Sequence, residues 1–241
     1  MLTQERYVEL LAEDAAALLA AAGAADPGSA VPTCPGWNTM DLVWHIGEVH
    51  AFWATVLEGM LAAPPADWPP ARPDDADGVW AFARQSAERV IAAVAVADPD
   101  ATVWTWAEGA DDAGFVIRRM AQETAVHRLD AEQTAGREVR IDTALAADGL
   151  DEFLVRFYPF TVRAGRHPGG SIHLHCTDTE GEWTLDAAGA LSRGHAKGDA
   201  ALRGSAHDLL AVVWRRQPID SIEVFGDQDL ASSFVDATRS G

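Results

Sequence analysis

The spacing of apolar residues changes once along this chain, and that change constrains the fold more than any other feature. Up to about residue 135, Ala and Leu dominate and apolar positions recur at the three-and-four interval of amphipathic helices. Beyond Gly136 short segments alternate apolar with polar residues between Gly- and Pro-containing stretches, which is the interval of strands. One layer built on a helical stripe and another built on a pleated face make separate units. The expectation is therefore an α+β protein, with residues 1–140 forming an all-α bundle and residues 141–241 a smaller α/β domain.

Four helices are predicted in the first part. One covers about residues 3–23 and stops at the breaker cluster around Pro27-Gly28. The second follows Thr33-Cys34-Pro35-Gly36-Trp37, opens with Asn38 and Asp41 in the form of a capping box, and runs to about Ala62. Pro64, Pro65, Pro69, Pro70 and Pro73 then impose a stiff connection. The third helix spans about 77–97, and the fourth, about 112–135, opens at Asp111-Asp112 and closes at Gly136. In the second part the sequence predicts a helix over 143–163 and a hairpin of Ser171–Cys176 with Glu182–Leu185. It then predicts a strand at Ala200–Arg203, a helix capped near Ser205 and reaching Arg216, a strand at Ser221–Phe225, and a last helix from Asp227 to about Thr238.

Two of the helices carry polar residues where the pattern demands apolar ones. Leu42, His45, Ile46, Val49, Trp53, Val56 and Met60 make one face of the second helix, and Val116, Met120, Glu123, His127 and Ala131 make one face of the fourth. Glu123 and His127 lie four apart, one turn from each other. No Lys or Arg stands on either stripe at matching depth. A buried carboxylate left uncompensated costs several kcal/mol, and a divalent cation would supply the compensation. Two His and one Glu make a common catalytic zinc set with one open position, and facing helices are where bundle metal sites are built. The spacing excludes the Glu-x-x-His signature of di-iron carboxylate centres. A surface pair, or a core histidine hydrogen-bonded to Glu123, accounts for the same pattern without a metal.

With 18 Lys+Arg against 37 Asp+Glu, the formal charge is −19. Such a field repels phosphate backbones and anionic lipid, and the tight basic pairs Arg118-Arg119 and Arg215-Arg216 sit beside apolar residues. Nucleic acid and membrane are not expected partners. No apolar run approaches the roughly 20 residues of a bilayer span, and the acidic, amphipathic first helix lacks the basic start of a signal peptide. Cytoplasm is the expected location, with Cys34 and Cys176 both reduced. No P-loop, dinucleotide fingerprint, nucleophile elbow or CxxC pair occurs.

The segments Thr33-Cys-Pro-Gly-Trp37, Asp41-Leu-Val-Trp-His45 and Arg119-Met-Ala-Gln-Glu-Thr-Ala-Val-His-Arg-Leu-Asp-Ala-Glu132 resemble the mycothiol-dependent maleylpyruvate isomerase family, a branch of the DinB-like metal-binding bundles. Gly204-Ser-Ala-His-Asp-Leu-Leu-Ala-Val-Val-Trp-Arg-Arg216 and Val224-Phe-Gly-Asp227 are similar to its C-terminal domain. The resemblance implies a four-helix bundle, a C-terminal domain like sterol carrier protein 2, and one divalent metal, zinc foremost, on His45, Glu123 and His127. It also implies mycothiol as cosubstrate and a small electrophile as substrate, with isomerisation or S-transfer as the outcome. A metal-dependent hydrolase and a non-catalytic metal protein are the other readings. Arg216 takes the family-like position of a residue that binds an anionic substrate, though capping of its helix accounts for it equally. Gln122 departs from the family, where many relatives have His.

Beyond these, Asp41 either caps the second helix or orients His45. His50, about 140° around the helix from His45, is expected at the surface. His173 and His175 share a strand face, and an exposed or sheet-packed role is expected for them ahead of the alternative, a second metal site. Cys34 is expected to be a small packed residue, with no base fixed beside it.

Overall fold

The computed structural model describes residues 2–238. They divide into two compact units, residues 2–139 and residues 140–238. The first unit contains helices α1 (Gln4–Ala24), α2 (Thr39–Gly59), α3 (Ala76–Val96) and α4 (Ala113–Thr134). Each starts where a side chain accepts a backbone N–H of its first turn: Thr3, Asn38, Asp75 and Asp112 are the four N-caps. Helix α1 lies against α4 and α2 against α3, with α2 and α4 also in contact. Leu18, Leu42, Val43, Ile46, Val79 and Ala131 belong to the core they share. The apolar stripe of α2 stops short of its predicted end. Met60 is a left-handed C-cap at φ 47° and is exposed, because the chain must turn there toward the proline-rich connection.

The second unit opens with α5 (Thr143–Glu152), a π-helical turn at Phe153–Phe157 and α6 (Tyr158–Arg163). The single predicted helix thus contains a wide turn, on which Phe153 and Phe157 meet Trp214 edge to face with ring centroids 5.0 and 4.9 Å from the indole. The sheet comprises β1 (Ile172–Cys176), β2 (Glu182–Leu185), β3 (Leu191–Arg193), β4 (Ala200–Gly204) and β5 (Glu223–Gly226), in the order β3-β2-β1-β4-β5. The β1–β4 pair is parallel and the others are antiparallel. Strand β3, three residues long and mostly exposed, has no apolar alternation to announce it. Helix α7 (Ala206–Val213) is capped by Ser205 as predicted but ends at Val213 instead of Arg216, since Arg215 turns into the left-handed region at φ 62°. Helix α8 (Gln228–Ala237) starts from the Asp227 cap.

The sheet is two-faced. Ile172, Leu174, Cys176, Trp183, Leu185, Ala200 and Leu202 are buried on one side. The strand period of two puts His173, His175, Glu182 and Thr184 together on the other. The architecture is α+β, as the change of period requires. No helix among the described residues is long and apolar enough to cross a membrane.

Candidate metal centre

Helices α2 and α4 bring His45, Glu123 and His127 together. The Nε2 atoms of His45 and His127 lie 3.4 and 3.2 Å from the same carboxylate oxygen, Oε1 of Glu123. The two imidazoles meet edge to face with ring centroids 4.8 Å apart. One ligand atom from each of the three residues falls within 4.8 Å of the others. Helical geometry explains the α4 half of this arrangement, because residues four apart stack one above the other.

The backing of His127 is more elaborate than its spacing suggests. Asp130, fully buried one turn later, accepts from Nδ1 of His127 at 2.8 Å. The same carboxylate accepts from the Thr33 hydroxyl and, at 3.4 Å, from the Cys34 thiol. These two come from the tight loop before α2, which is closed by hydrogen bonds from Val31 N to Trp37 O and from Trp37 N to Cys34 O, and which needs Gly36 at φ 86°. Trp37 follows, with its ring centroid 4.7 Å from that of His45 and 6.2 Å from that of His127. The segment Thr33–Trp37 therefore walls the site.

Three sequence expectations are corrected here. Arg119, one turn before Glu123, is almost wholly buried, and its Nη2 lies 3.2 Å from Oε2 of Glu123. The carboxylate thus has a cation at matching depth on its own helix, where none was expected, and is compensated in part without a metal. Cys34 has a base beside it, through its bond to Asp130 and its neighbour His127. His50 is not at the surface: its side chain is 1% exposed, and Nε2 lies 2.8 Å from the Thr124 hydroxyl of α4. The helix is covered on both of these faces, so 140° of rotation from His45 still ends in the core.

Electrostatics follow from these contacts. Burial would raise the Glu123 carboxyl, but the two imidazoles, His127 foremost, together with Arg119 hold it well below the usual carboxylate range. Burial works against charge on His127, yet Asp130, Cys34 and Glu123 keep its proton on well above the ordinary imidazole range. Burial pushes His50 the other way, down to about 4, so it is neutral at physiological pH.

Asp41 does not serve His45. Its side chain closes the capping box, accepting from Asn38 N at 3.0 Å, and accepts from Arg72 Nη1 at 2.6 Å. That guanidinium, and then the Asn38 amide, hold its carboxyl below the usual range. Gln122 is buried on α4. Arg216 belongs to the second unit. Its backbone N–H closes α7 onto Ala211 O, its Nη1 donates to Trp214 O at 2.8 Å, and with Gln217, Ile219 and Val235 it borders a cavity of about 380 Å³. Its neighbour Arg215 pairs with Asp236 of α8 at 3.2 Å.

Residues 8–132 match the family model described as the mycothiol maleylpyruvate isomerase N-terminal domain, and residues 144–233 match the one described as the MDMPI C-terminal domain. Comparison with curated proteins finds no match. Among solved structures, the mycothiol-dependent maleylpyruvate isomerase superposes with a TM-score of 0.65 at 14% identity, covering 92% of this chain and 93% of that one. A histidine-to-alanine mutant of that enzyme gives 0.66 at 13% identity with the same coverage. A sterol carrier protein 2 like 2 from Aedes aegypti aligns with 39% of this chain and 98% of its own at a TM-score of 0.31 and 20% identity, which carries no argument for the second unit. The two domain matches place this chain in the mycothiol maleylpyruvate isomerase family.

Proposed function

We propose that this member of the family is a metal-dependent enzyme that activates a low-molecular-weight thiol, mycothiol, for attack on a small electrophile bearing a conjugated double bond. One observation carries the reading: two imidazole nitrogens and a carboxylate converge from facing helices, with a buried carboxylate fixed behind one of the imidazoles. The donor set fits a zinc-like ion. Bonds of about 2.1 Å in a tetrahedral site set ligand atoms about 3.4 Å apart, and the two nitrogen-to-oxygen separations are 3.4 and 3.2 Å.

A divalent cation held there would leave one position open and would keep a thiol sulfur deprotonated near neutral pH. The protein's own contribution is orientation and charge. Asp130, by accepting from Nδ1, fixes the His127 tautomer that turns Nε2 toward Glu123. Arg119 holds Glu123 ionised and in place through Oε2, which leaves Oε1 for the site. Trp37 packs its ring beside the two imidazoles.

The sulfur would add to one carbon of the double bond and send the electron pair to the conjugated carbonyl. The resulting single bond rotates. Return of the electron pair expels the thiolate and restores the double bond in the other geometry, with no net change in atoms. A persistent carbon–sulfur bond would make the same site an S-transferase. Arg216, in the second unit, is proposed only as a binder of an anionic group, for which a planar guanidinium offers two parallel hydrogen bonds.

Turnover of maleylpyruvate with and without mycothiol tests the reading. The expected result is isomerisation that requires both thiol and metal and is lost in Glu123→Gln. Equal isomerisation without thiol would overturn it, and water-dependent cleavage of the substrate in place of isomerisation would favour a hydrolytic site.

A further inference from the structure

The polar face of the sheet gathers a second set of metal-ligating side chains, in the unit that does not contain the bundle site. On β1, His173 and His175 are two residues apart and share this face. Register places Thr184 opposite His173 and Glu182 opposite His175 on β2. Glu182 receives both imidazoles: Nδ1 of His175 lies 2.8 Å from Oε1, and Nε2 of His173 lies 3.2 Å from Oε2. A third histidine reaches the same carboxylate. His195 follows β3, where Gly194 N bonds back to Glu182 O at 2.9 Å, and its Nδ1 lies 2.8 Å from Oε2. The ligand atoms of His173, His175 and Glu182 all fall within 4.8 Å of one another.

We propose that His173, His175 and Glu182 form a second metal site, one that takes a divalent ion of the zinc class, with His195 as the hydrogen-bond partner that orients Glu182. Three features carry it. Imidazole with a single carboxylate is the donor set for zinc and its neighbours, whereas oxygen-only sets suit magnesium and calcium. One ligand atom from each of the three lies within 4.8 Å of the others, close enough for a single ion with bonds of about 2.1 Å to gather them. The ligands stand on paired strands, whose register fixes them without a loop rearrangement.

A fourth observation points to something further in the site. The Thr184 hydroxyl, buried directly opposite His173, makes no hydrogen bond among the described residues. A buried hydroxyl without a partner is costly, and water on the ion's remaining position would satisfy it. Without an ion, three imidazoles would share one carboxylate and that hydroxyl would stay unmatched. This site is independent of the bundle reading: its residues lie in a different unit and its ligands on strands.

The test is zinc titration of the full chain, stripped of metal and competed against a chromophoric chelator, in a Glu123→Gln, His127→Ala background that disables the bundle site. One zinc per chain is expected to remain. Glu182→Gln or His175→Asn should weaken it at least 100-fold, and His195→Ala, a change at an exposed side chain, about ten-fold. Zinc-edge X-ray absorption of the loaded background protein should give a shell with two imidazoles, a readout that does not depend on any sheet variant folding. Absence of binding at micromolar free zinc, affinity indifferent to Glu182→Gln and His175→Asn, or a shell without imidazole would each overturn the proposal, leaving a hydrogen-bonded cluster only. Loss of the bundle site alone would lower the wild-type stoichiometry from two to one and leave this site standing.

Discussion

Asp130→Asn separates charge from shape at the centre of the bundle site. The carboxylate is wholly buried and takes hydrogen bonds from Nδ1 of His127, the Thr33 hydroxyl and the Cys34 thiol. Asparagine is nearly isosteric and can still offer an oxygen to the imidazole, while the Thr33 hydroxyl can rotate to accept from its amide. What disappears is the negative charge that, on the proposed function, would make His127 a strong ligand. Replacing such a partner of a metal-bound histidine weakens metal affinity about 10- to 100-fold, or about 1.4–2.7 kcal/mol. The assay is zinc competition in a Glu182→Gln chain, so that only the bundle reports, with thermal melting as the control for folding. Affinity within two-fold of the parent, in a folded variant, would refute the argument that Asp130 acts through His127. Loss of folding in the Asn variant would point instead to Asp130 as a structural anchor of the Thr33–Trp37 loop.

Other expectations follow from the same contacts. Burial lowers His50 from 6.5 to about 4, so between those pH values the unfolded chain binds a proton that the folded chain refuses. Stability should therefore fall as pH drops through that window, by at most about 3 kcal/mol from this residue. His50→Gln, which can still bond Thr124, should flatten the fall by that amount in denaturant titrations, and an unchanged slope would count against it. Stripping the metal should lower the melting temperature, since a ligand at 100 times its Kd stabilises by about 2.7 kcal/mol; identical melts with and without chelator would contradict this.

Much of the bundle is legible in the sequence. Its four helices lie within a few residues of their expected ends because caps and breakers, such as Asn38 with Asp41 and Asp112, are local signals. His45, Glu123 and His127 are legible because a polar residue on an apolar stripe breaks a pattern. Arg119 and His50 escape for a related reason. Position on a stripe does not say how wide the covered face is, and α4 is buried on nearly every side. Asp130 carries a readable signal, a carboxylate three residues after His127, to which apolar spacing is blind. Cys34 and Thr33 cannot be placed from sequence, since only the folded loop brings them to Asp130 across 96 and 97 positions. Strand β3 and the π-helical turn have no periodic signature, and with β3 unseen, nothing in the sequence joins His195 to His173 and His175.

The central claim is that a metal on His45, Glu123 and His127 takes a thiol at its open position. The most direct measurement is the absorption spectrum of the cobalt-substituted chain, carrying Glu182→Gln and His175→Asn so that only the bundle holds the ion, as mycothiol is added. A sulfur-to-cobalt charge-transfer band should grow to saturation, more readily at higher pH because the sulfur must lose its proton, and should be absent when Glu123→Gln is added. A spectrum unchanged at saturating mycothiol, with cobalt bound, would contradict the claim.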